Sequence, residues 1–425
     1  MHNRVLLHLA KMSDSGSEMK YISEAFASNW VAPLGPNVNG FEKDLECYLQ
    51  PSTLNSKLST LNPNLSTLNS NLSTLNSNPS TLKLPLNSQL STLNSQLSVA
   101  ALSSCTAAIH LALLMLCVKP DDEVLCQSFS FCASSNPVTY CGAKPVFVDS
   151  DKATWNIDPN LLEEAIKDRI SKTGRKPKAI IAVDLYGMPA DWEALEEISH
   201  RYEIPVIEDA ANALGSRYAG RPCGTFGDIA TLSFNGNKII TTSGGGAIVC
   251  HDADTKRRAI HLATQAREPF LYYQHEEIGF NYRMSNISAG IGRGQMTVLD
   301  DYIRHHKHIH DLYTELFRDI DGIEVHSNPS DLYDSNFWLT TIILDPAIIR
   351  QDVLGLCSAL SADNIESRPL WKPMHMQPVF QSAPAYTNGV SEYLFRNGIC
   401  LPSGPCVSDE DVNYIFNCML KAISY

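Results

Sequence analysis

From residue 100 onward the sequence alternates short apolar runs with segments of helical periodicity, and this alternation constrains the fold more than any other feature. Repeated strand–helix–strand units predict an α/β fold in which helices cover both faces of a mostly parallel sheet. Ligands in such sheets bind beyond the carboxyl ends of the strands, so polar residues at those ends are the candidates for chemistry. The predicted strands are 123–126, 145–148, 179–184, 205–208, 229–234 and 247–250, and the predicted helices are 18–28, 38–49, 106–116, 161–170 and 192–202.

A repeat of STLN-like units interrupts this pattern between residues 51 and 98. "STL" begins at Ser52 and recurs every seven residues to Ser80, with leucines at alternating steps of four and three. That spacing would suit a coiled coil, but Ser, Thr and Asn disfavour helix interiors, and prolines interrupt the run. The composition favours a disordered low-complexity insertion over a helical hairpin. The predicted segments are an N-terminal part (1–50), the insertion (51–98), a large domain (99–309) and a small C-terminal domain (310–425).

The charge balance limits the class of partner. The formal net charge is −13 and no basic cluster is present, which argues against nucleic acid or an anionic membrane as the main partner. A small anionic substrate remains compatible with this balance, because a few local cations suffice to bind it.

Cysteine usage and the N-terminus indicate a cytoplasmic protein. The 12 cysteines have no regular spacing, so we interpret them as small buried apolar residues in a reducing compartment and predict no metal site. The apolar run 5–10 is too short for the core of a signal peptide, and no stretch approaches the roughly 20 apolar residues of a membrane span.

Three separate stretches contain groups suited to a phosphorylated cofactor. Asp209 ends an apolar strand, where it faces the ligand crevice or caps the next helix. Lys238 lies between a strand and the glycines 244–246, which allow close backbone approach to a ligand, and Ser233 precedes it by five residues. The stretch from Ser103 to Thr106 opens a helix whose free N–H groups would bind phosphate, or it is a simple N-cap.

Taken together, these stretches and their order resemble the DegT/DnrJ/EryC1/StrS family of sugar aminotransferases, which are pyridoxal-phosphate (PLP) enzymes of fold type I. The resemblance implies a seven-stranded, mostly parallel sheet between helices and a smaller α+β C-terminal domain. It covers nearly the whole chain outside the repeat. The motifs that carry it are "GSEMKYISEAFASNWVAPLGPNVNGFEKDLECYL", "ALSSCTAAIHLALLML", "GAKPVFVDSDKATWNIDP", "VDLYGMPAD", "PVIEDAANALGS", "GTFGDIATLSFNGNKIITTSGGGAIV" and "GFNYRMSNISAGIG".

The resemblance assigns catalytic roles to two residues. Lys238 would carry PLP as a Schiff base and shuttle the proton, and Asp209 would pair with the pyridinium nitrogen so that the ring can accept electrons. Family members that act as dehydratases have histidine in place of the lysine, so the lysine here favours transamination.

The resemblance also assigns cofactor contacts. Cys105, Thr106 and Ser233 would bind the phosphate, and Phe131 would stack on the ring. Asn281 would reach across a homodimer interface to the phosphate of the neighbouring subunit, so that two subunits share each active site.

Three positions depart from the family pattern. Cys105 stands where glycine is frequent, which would crowd the phosphate loop, and Asp184 stands where many members have histidine. Asn212 stands where many have Gln or Glu in contact with the 3′-oxygen of the cofactor, which a shorter amide can still reach.

The C-terminal stretches "IESRPLWKPMHMQPVF" and "RNGICLPSGP" resemble members that act on UDP-linked 4-keto-6-deoxy-N-acetylamino sugars, as in bacillosamine biosynthesis. Arg368, Lys372 and His375 beside Trp371 would hold a nucleotide diphosphate and its base, unless they are core residues with snorkelling cations. The implied reaction transfers the amino group of L-glutamate to C4 of the sugar, for a cell-surface glycan.

Two other function classes stay open. A PLP-fold regulatory or interaction protein would keep the fold without turnover, but such a protein would be free to lose the set Asp209, Ser233 and Lys238. A desulfurase or amino-acid lyase of the same fold type is disfavoured by "SNWVAPLGPNV" and "WKPMH".

Overall fold

The computed structural model describes residues 4–50 and 97–423. The STLN repeat, for which the sequence predicts disorder, lies outside the described residues except at its end, where Ser98 opens the first strand. The strands are β1 Ser98–Leu102, β2 Glu123–Gln127, β3 Lys144–Val148, β4 Ala179–Val183, β5 Val206–Asp209, β6 Arg217–Tyr218, β7 Arg221–Pro222, β8 Ile229–Ser233, β9 Gly246–Cys250, β10 Ile323–Val325, β11 Tyr333–Asp334, β12 Thr340–Leu344, β13 Arg368–Pro369, β14 Ala385–Tyr386 and β15 Gly398–Leu401.

The helices confirm the predicted alternation and add elements to it. They are α1 Ser17–Ala27, α2 Pro36–Leu49, α3 Cys105–Met115, α4 Cys132–Tyr140, α5 Pro159–Thr173, α6 Trp192–Tyr202, α7 Ala253–Ala263, α8 Asn286–Met296, α9 Leu299–Phe317, α10 Val353–Ala362, α11 Val390–Asn397 and α12 Asp409–Ile423. Within the described ranges, no helix combines the length and the apolar character needed to cross a membrane.

The main sheet has the strand order β1-β9-β8-β5-β4-β2-β3-β14. All its neighbouring strands are parallel except β9, which runs antiparallel to both β1 and β8. The predicted mostly parallel sheet is therefore confirmed. The resemblance implied seven strands and the sheet has eight, and one of them, β14, is a two-residue strand from the C-terminal part of the chain.

The strands are apolar throughout because helices cover both faces of the sheet. In β4, Ile180 and Ala182 pack into the core beneath α2, α5 and α6, whereas Ala179 and Ile181 pack into the core beneath α3, α4 and α7. Successive side chains of a strand point to opposite faces of the sheet, so they pack alternately into the two cores. The result is a three-layer body whose sheet edge holds the cavity described below.

Two carboxylates of α2 satisfy the free edge of β1, the outermost strand. Oε1 of Glu42 accepts hydrogen bonds from the N–H of Ala101 at 2.9 Å and from the buried Arg283 guanidinium at 2.9 Å. Oε1 of Glu46 accepts from the N–H of Val99 at 3.0 Å. An edge strand normally leaves such groups unpaired. Their pairing fixes β1 and hence the start of α3, which follows it directly.

The C-terminal part of the chain has a second sheet, of order β10-β12-β15-β13, whose pairs are antiparallel. It forms its own core with α9, α10 and α12. The predicted boundary between residues 309 and 310 falls within α9, and β14 joins the main sheet. The division into domains stays a prediction.

Candidate active site

A cavity of about 670 Å³ opens at the carboxyl ends of β5 and β8. Its volume is within the roughly 300–1,000 Å³ of small-molecule sites. Parallel strands end at the same edge of a sheet, and this brings residues that are far apart in the sequence into one wall. The predicted site residues that line it are Cys105, Thr106, Phe131, Asp209, Asn212, Ser233, Lys238 and Arg368.

The first turn of α3 forms the anion-binding end of the cavity. Oγ of Ser104 caps the helix by accepting from the N–H of Ala107 at 3.0 Å. The N–H groups of Cys105 and Thr106 belong to the first turn, where a helix has no internal acceptors. A Cβ on Gly246 would lie 2.3 Å from the backbone nitrogen of Cys105, so only glycine lets β9 start this close to the helix. These groups suit a phosphate.

Asp209 lies at the floor of the cavity, buried at the end of β5. Its Oδ2 accepts from the hydroxyl of Ser134 at 2.6 Å and its Oδ1 from the N–H of Ala211 at 3.1 Å. Burial raises the pKa of Asp209, while these hydrogen bonds and the charge of Lys238 act in the opposite direction. A cationic ring nitrogen placed here would compensate the buried charge.

Lys238 is half-buried in the wall of the cavity. Its Nζ donates to Oδ1 of Asn212 at 2.6 Å and lies 4.4 Å from the centre of the Trp338 ring. Burial lowers the pKa of Lys238 to about 8, although the charge of Asp209 raises it. The amide of Asn212, expected to face the cofactor, faces this amine in the structure.

Aromatic side chains form the outer wall. Phe131 is 56% exposed and lies 5.5 Å from Trp371 between ring centres. Trp371 is held by its backbone N–H, which donates to the hydroxyl of Tyr186 at 2.9 Å. Arg368 forms an ion pair with Glu366 at 3.0 Å beside them. The predicted roles of Phe131 and Arg368 require this placement, and they stay predictions.

Lys372 and His375 are not among the residues that line the cavity, although the sequence grouped them with Arg368. The chain turns away in a 3-10 helix at Met374–Met376, whose first N–H donates to the carbonyl of Ser128 at 2.7 Å. The His375 ring is 2.7 Å from the Ser128 hydroxyl through Nδ1. Both residues are half-buried and lie outside the wall of this cavity, and their predicted part in binding the nucleotide stays a prediction.

Asn281 is exposed and lies outside the cavity wall of its own chain. It forms a β-bridge with Thr264. Its predicted reach to a neighbouring subunit stays a prediction.

The N-terminal strap, residues 5–10, closes one side of the cavity and was missed by the sequence analysis. The N–H of Val5 donates to the carbonyl of Asn364, the N–H of Ser403 to that of Leu7, and the N–H of Ala10 to that of Gly236. His8 lines the cavity, and its pKa is lowered to about 3 by burial and by the charge of Lys238. No local pattern distinguishes such a strap, because its partners are more than 200 residues away.

Glu208, which directly precedes Asp209 in the sequence, belongs to a buried cluster with Asp184 and Cys223. A carboxylate oxygen of Asp184, a carboxylate oxygen of Glu208 and Sγ of Cys223 all lie within 4.8 Å of one another. The oxygens of Glu208 accept the N–H groups of Gly224 at 2.5 Å and Phe226 at 2.6 Å, while Oδ2 of Asp184 has no hydrogen-bond partner. Burial raises the pKa of both carboxyls, and each also acts on the other. One proton shared by the pair satisfies this geometry.

This pair predicts a pH-dependent stability. Because its folded-state pKa is raised, the folded chain keeps a proton that the unfolded chain has lost, so stability falls as the pH rises from about 4 through about 6 and beyond. Asp184→Asn keeps the oxygen that accepts from Ala190 and Trp192 and supplies an N–H to Glu208. We expect the unfolding temperature of this variant to change less between pH 6 and pH 8 than that of the wild type.

The control is Asp319→Asn, which alters an exposed carboxylate on another part of the chain. It should reproduce the pH dependence of the wild type. An equal loss of stability between pH 6 and pH 8 in Asp184→Asn and the wild type would contradict the shared proton.

The model of the "DegT/DnrJ/EryC1/StrS aminotransferase family" matches residues 82–420. A "Putative pyridoxal phosphate-dependent aminotransferase EpsN" from Bacillus subtilis (strain 168) is 42% identical over 424 residues, which cover 99% of this chain and 96% of that protein. A "GDP-perosamine synthase" from Escherichia coli O157:H7 is 39% identical over 314 residues, which cover 74% of this chain and 82% of that one.

The fold is also similar to solved structures. A DegT/DnrJ/EryC1/StrS aminotransferase from Brucella abortus superimposes with a TM-score of 0.80 at 26% identity. The match covers 97% of this chain and 96% of that one.

Proposed function

Because the chain belongs to the DegT/DnrJ/EryC1/StrS aminotransferase family, whose members are PLP-dependent sugar aminotransferases, we propose that it transfers the amino group of L-glutamate to C4 of a nucleotide-linked 4-keto-6-deoxy sugar. The sugar we favour is a UDP-linked N-acetylamino sugar, destined for a cell-surface glycan. The observation that supports the proposal most is the meeting of a half-buried lysine, a buried carboxylate and a helix N-terminus in one cavity.

The residues present fit PLP, which supplies an electron sink that lets an amino group be exchanged. The first turn of α3, with the hydroxyls of Thr106 and Ser233, would hold the phosphate. Asp209 would hold the ring nitrogen, since a buried carboxylate with two hydrogen bonds is stabilised further by a cation. Lys238 would anchor the cofactor.

Lys238 is also suited to carry the proton in both half-reactions. A lysine whose pKa is lowered to about 8 is partly uncharged near neutral pH, whereas an exposed lysine is almost wholly charged. Such a group can accept a proton from the substrate carbon and return it, and efficient proton transfer needs a pKa near the working pH. Glu366 and Arg368 enclose the cavity on the side of the C-terminal sheet.

The first prediction concerns the anchor. The purified protein with PLP should absorb at roughly 410–430 nm, as lysine-bound PLP does, and L-glutamate should move the band to about 330 nm. Lys238→Ala should lack the visible band and lose the glutamate half-reaction by orders of magnitude, because the proton carrier is gone. Absorption spectra recorded before and after addition of L-glutamate measure the visible band and its shift.

Lys256→Ala is the matched control, since Lys256 is half-buried like Lys238 but pairs with Glu42 and Glu46 away from the cavity. It should keep the visible band. A wild-type protein without the band would remove Lys238 as the anchor and favour a non-catalytic relative of these enzymes.

The sugar nucleotide would bind at the outer wall. Arg368 offers a planar, always-charged group to a diphosphate, and Trp371 offers a ring face to a base. GDP is the alternative nucleotide, since a similar protein is named for a GDP-linked product. Our preference for UDP depends on the C-terminal resemblance given above.

The second prediction concerns this wall. UDP should bind the holoenzyme more tightly than GDP or TDP, and Arg368→Gln should weaken UDP binding about tenfold by removing a charge-assisted hydrogen bond. Isothermal titration measures both, and the glutamate half-reaction should be unchanged.

Arg396→Gln is the control, because Arg396 is equally exposed and ion-paired, with Glu392, on α11. It should bind UDP as the wild type does. Equal affinities for the three nucleotides would contradict the UDP proposal, and GDP preference would assign the chain to GDP-sugars.

We also propose a homodimer with shared sites. The loop before Asn281 exposes a run of large apolar side chains, a composition typical of a protein interface. The cluster consists of Phe270, Leu271, Tyr272, Tyr273 and Ile278.

The third prediction is subunit complementation. Asn281→Asp places a negative charge next to the phosphate of the neighbouring subunit, while Lys238→Ala removes the anchor of its own subunit. A mixed dimer would then contain one site with both native residues. Co-expression of the two variants should therefore restore activity that neither variant has alone, and failure to restore it would contradict the shared site.

A further inference from the structure

The amine of Lys238 lies between the side-chain amide of Asn212 and the ring of Trp338. Its Nζ donates to Oδ1 of Asn212 at 2.6 Å and lies over the Trp338 ring at 4.4 Å. The second distance is within the roughly 6 Å at which an ammonium is attracted to an aromatic face. The free amine therefore has a defined position.

Trp338 is fixed so that its face stays under the amine. The indole is 2% exposed, and its Nε1 donates to the carbonyl of Asn237 at 2.7 Å. Asn237 directly precedes Lys238, so the ring is tied to the same loop that carries the lysine. Tyr186 stacks beside the indole, at 6.5 Å between ring centres.

One buried side chain holds both surfaces together. Nδ2 of Asn336 donates to the carbonyls of Asn212 at 2.9 Å and Leu214 at 3.0 Å. Its Oδ1 accepts the N–H of Trp338 at 2.8 Å. Asn336 thus spans from the segment after β5 to the segment before β12 and sets the distance between the amide and the indole. Gly187 is required beside it, because a Cβ there would lie 2.0 Å from Oδ1 of Asn336.

We propose that Asn212 and Trp338 form a cradle that holds the amine of Lys238 whenever it is not bonded to the cofactor, with Asn336 as the positioning residue that sets the cradle. The proposal rests on the anchoring role of Lys238 in the proposed function, and it assigns to Trp338 a role in positioning the lysine. It is independent of which sugar or nucleotide the protein uses.

The cradle has two consequences for the reaction. It keeps the amine beside the cavity floor while the substrate occupies the site, so the lysine cannot swing into solvent and lose its orientation. An aromatic face attracts the protonated form of an amine and not the neutral form. Trp338 therefore offsets part of the burial that favours the neutral amine.

Rates of amine labelling test the cradle in the full-length protein freed of cofactor. Acetic anhydride modifies only the neutral amine, so its rate at Lys238, followed by mass spectrometry, titrates that residue against pH. Trp338→Leu should lower the midpoint of the labelling curve by about half to one pH unit, because the cation–π attraction is lost. Trp338→Phe keeps an aromatic face and should shift it less.

Trp155→Leu is the matched control, since it removes another buried indole, one that stacks on His326 and does not line the cavity. It should leave the midpoint unchanged. An unchanged midpoint in Trp338→Leu, or an equal shift in Trp155→Leu, would overturn the cradle.

A second measurement needs no tryptophan variant and covers the case in which Trp338→Leu fails to fold. Protonation of an amine over an indole changes the fluorescence of the indole. The difference in fluorescence between the cofactor-free wild type and Lys238→Met should therefore titrate with pH, with the same midpoint as the labelling. A flat difference would overturn the cradle. Neither measurement uses a sugar, so their outcome does not depend on which acceptor the protein uses. Absence of the PLP band in the wild type would instead contradict the anchoring role of Lys238.

Discussion

The partial burial of Lys238 and the desolvation of its amine are the constraint on which the rest of the site depends. Taking an ammonium out of water is costly unless other groups replace the lost hydration. Here an amide oxygen, an aromatic face and the charge of Asp209 take that place, and the pKa of the amine still falls to about 8. The same burial that costs stability gives the amine a proton affinity suited to catalysis near neutral pH. A fully hydrated lysine would lack this property.

The partners of that amine come from parts of the chain that meet only because of the topology. Asp209 and Ser233 end the neighbouring parallel strands β5 and β8, and Cys105 follows β1 two strands further along the sheet. Asn336 then ties the sheet edge to the C-terminal part through Trp338. The cavity therefore lies between the carboxyl edge of the main sheet and the C-terminal part of the chain, and ligand sites of α/β proteins are generally found at such places. The acidic pair Asp184 and Glu208 lies just behind this edge.

The sequence is informative at positions where the backbone geometry permits only one type of residue. The sequence predicted that the glycines 244–246 allow close backbone approach to a ligand, and the structure shows that Gly246 allows close approach of β9 to α3. Grouping by proximity along the chain was less reliable. Arg368 lines the cavity and His375 does not, because His375 lies in a 3-10 helix that holds the chain against Ser128. Seven residues of separation say nothing about which side of a turn a side chain occupies.

The sequence by itself determined the α/β alternation, the parallel sheet and the set of Lys238, Asp209 and the α3 N-terminus, since these follow from local periodicity and from motifs at strand ends. Only the tertiary structure decided that Trp338 lies under the amine, that Asn336 braces it, and that residues 5–10 close the cavity. The contacts of Lys238 with Trp338, of Asn336 with Asn212 and of residues 5–10 with their partners each join segments about 100 or more residues apart. Local propensity carries no record of such pairings, because they are selected by packing of the complete chain.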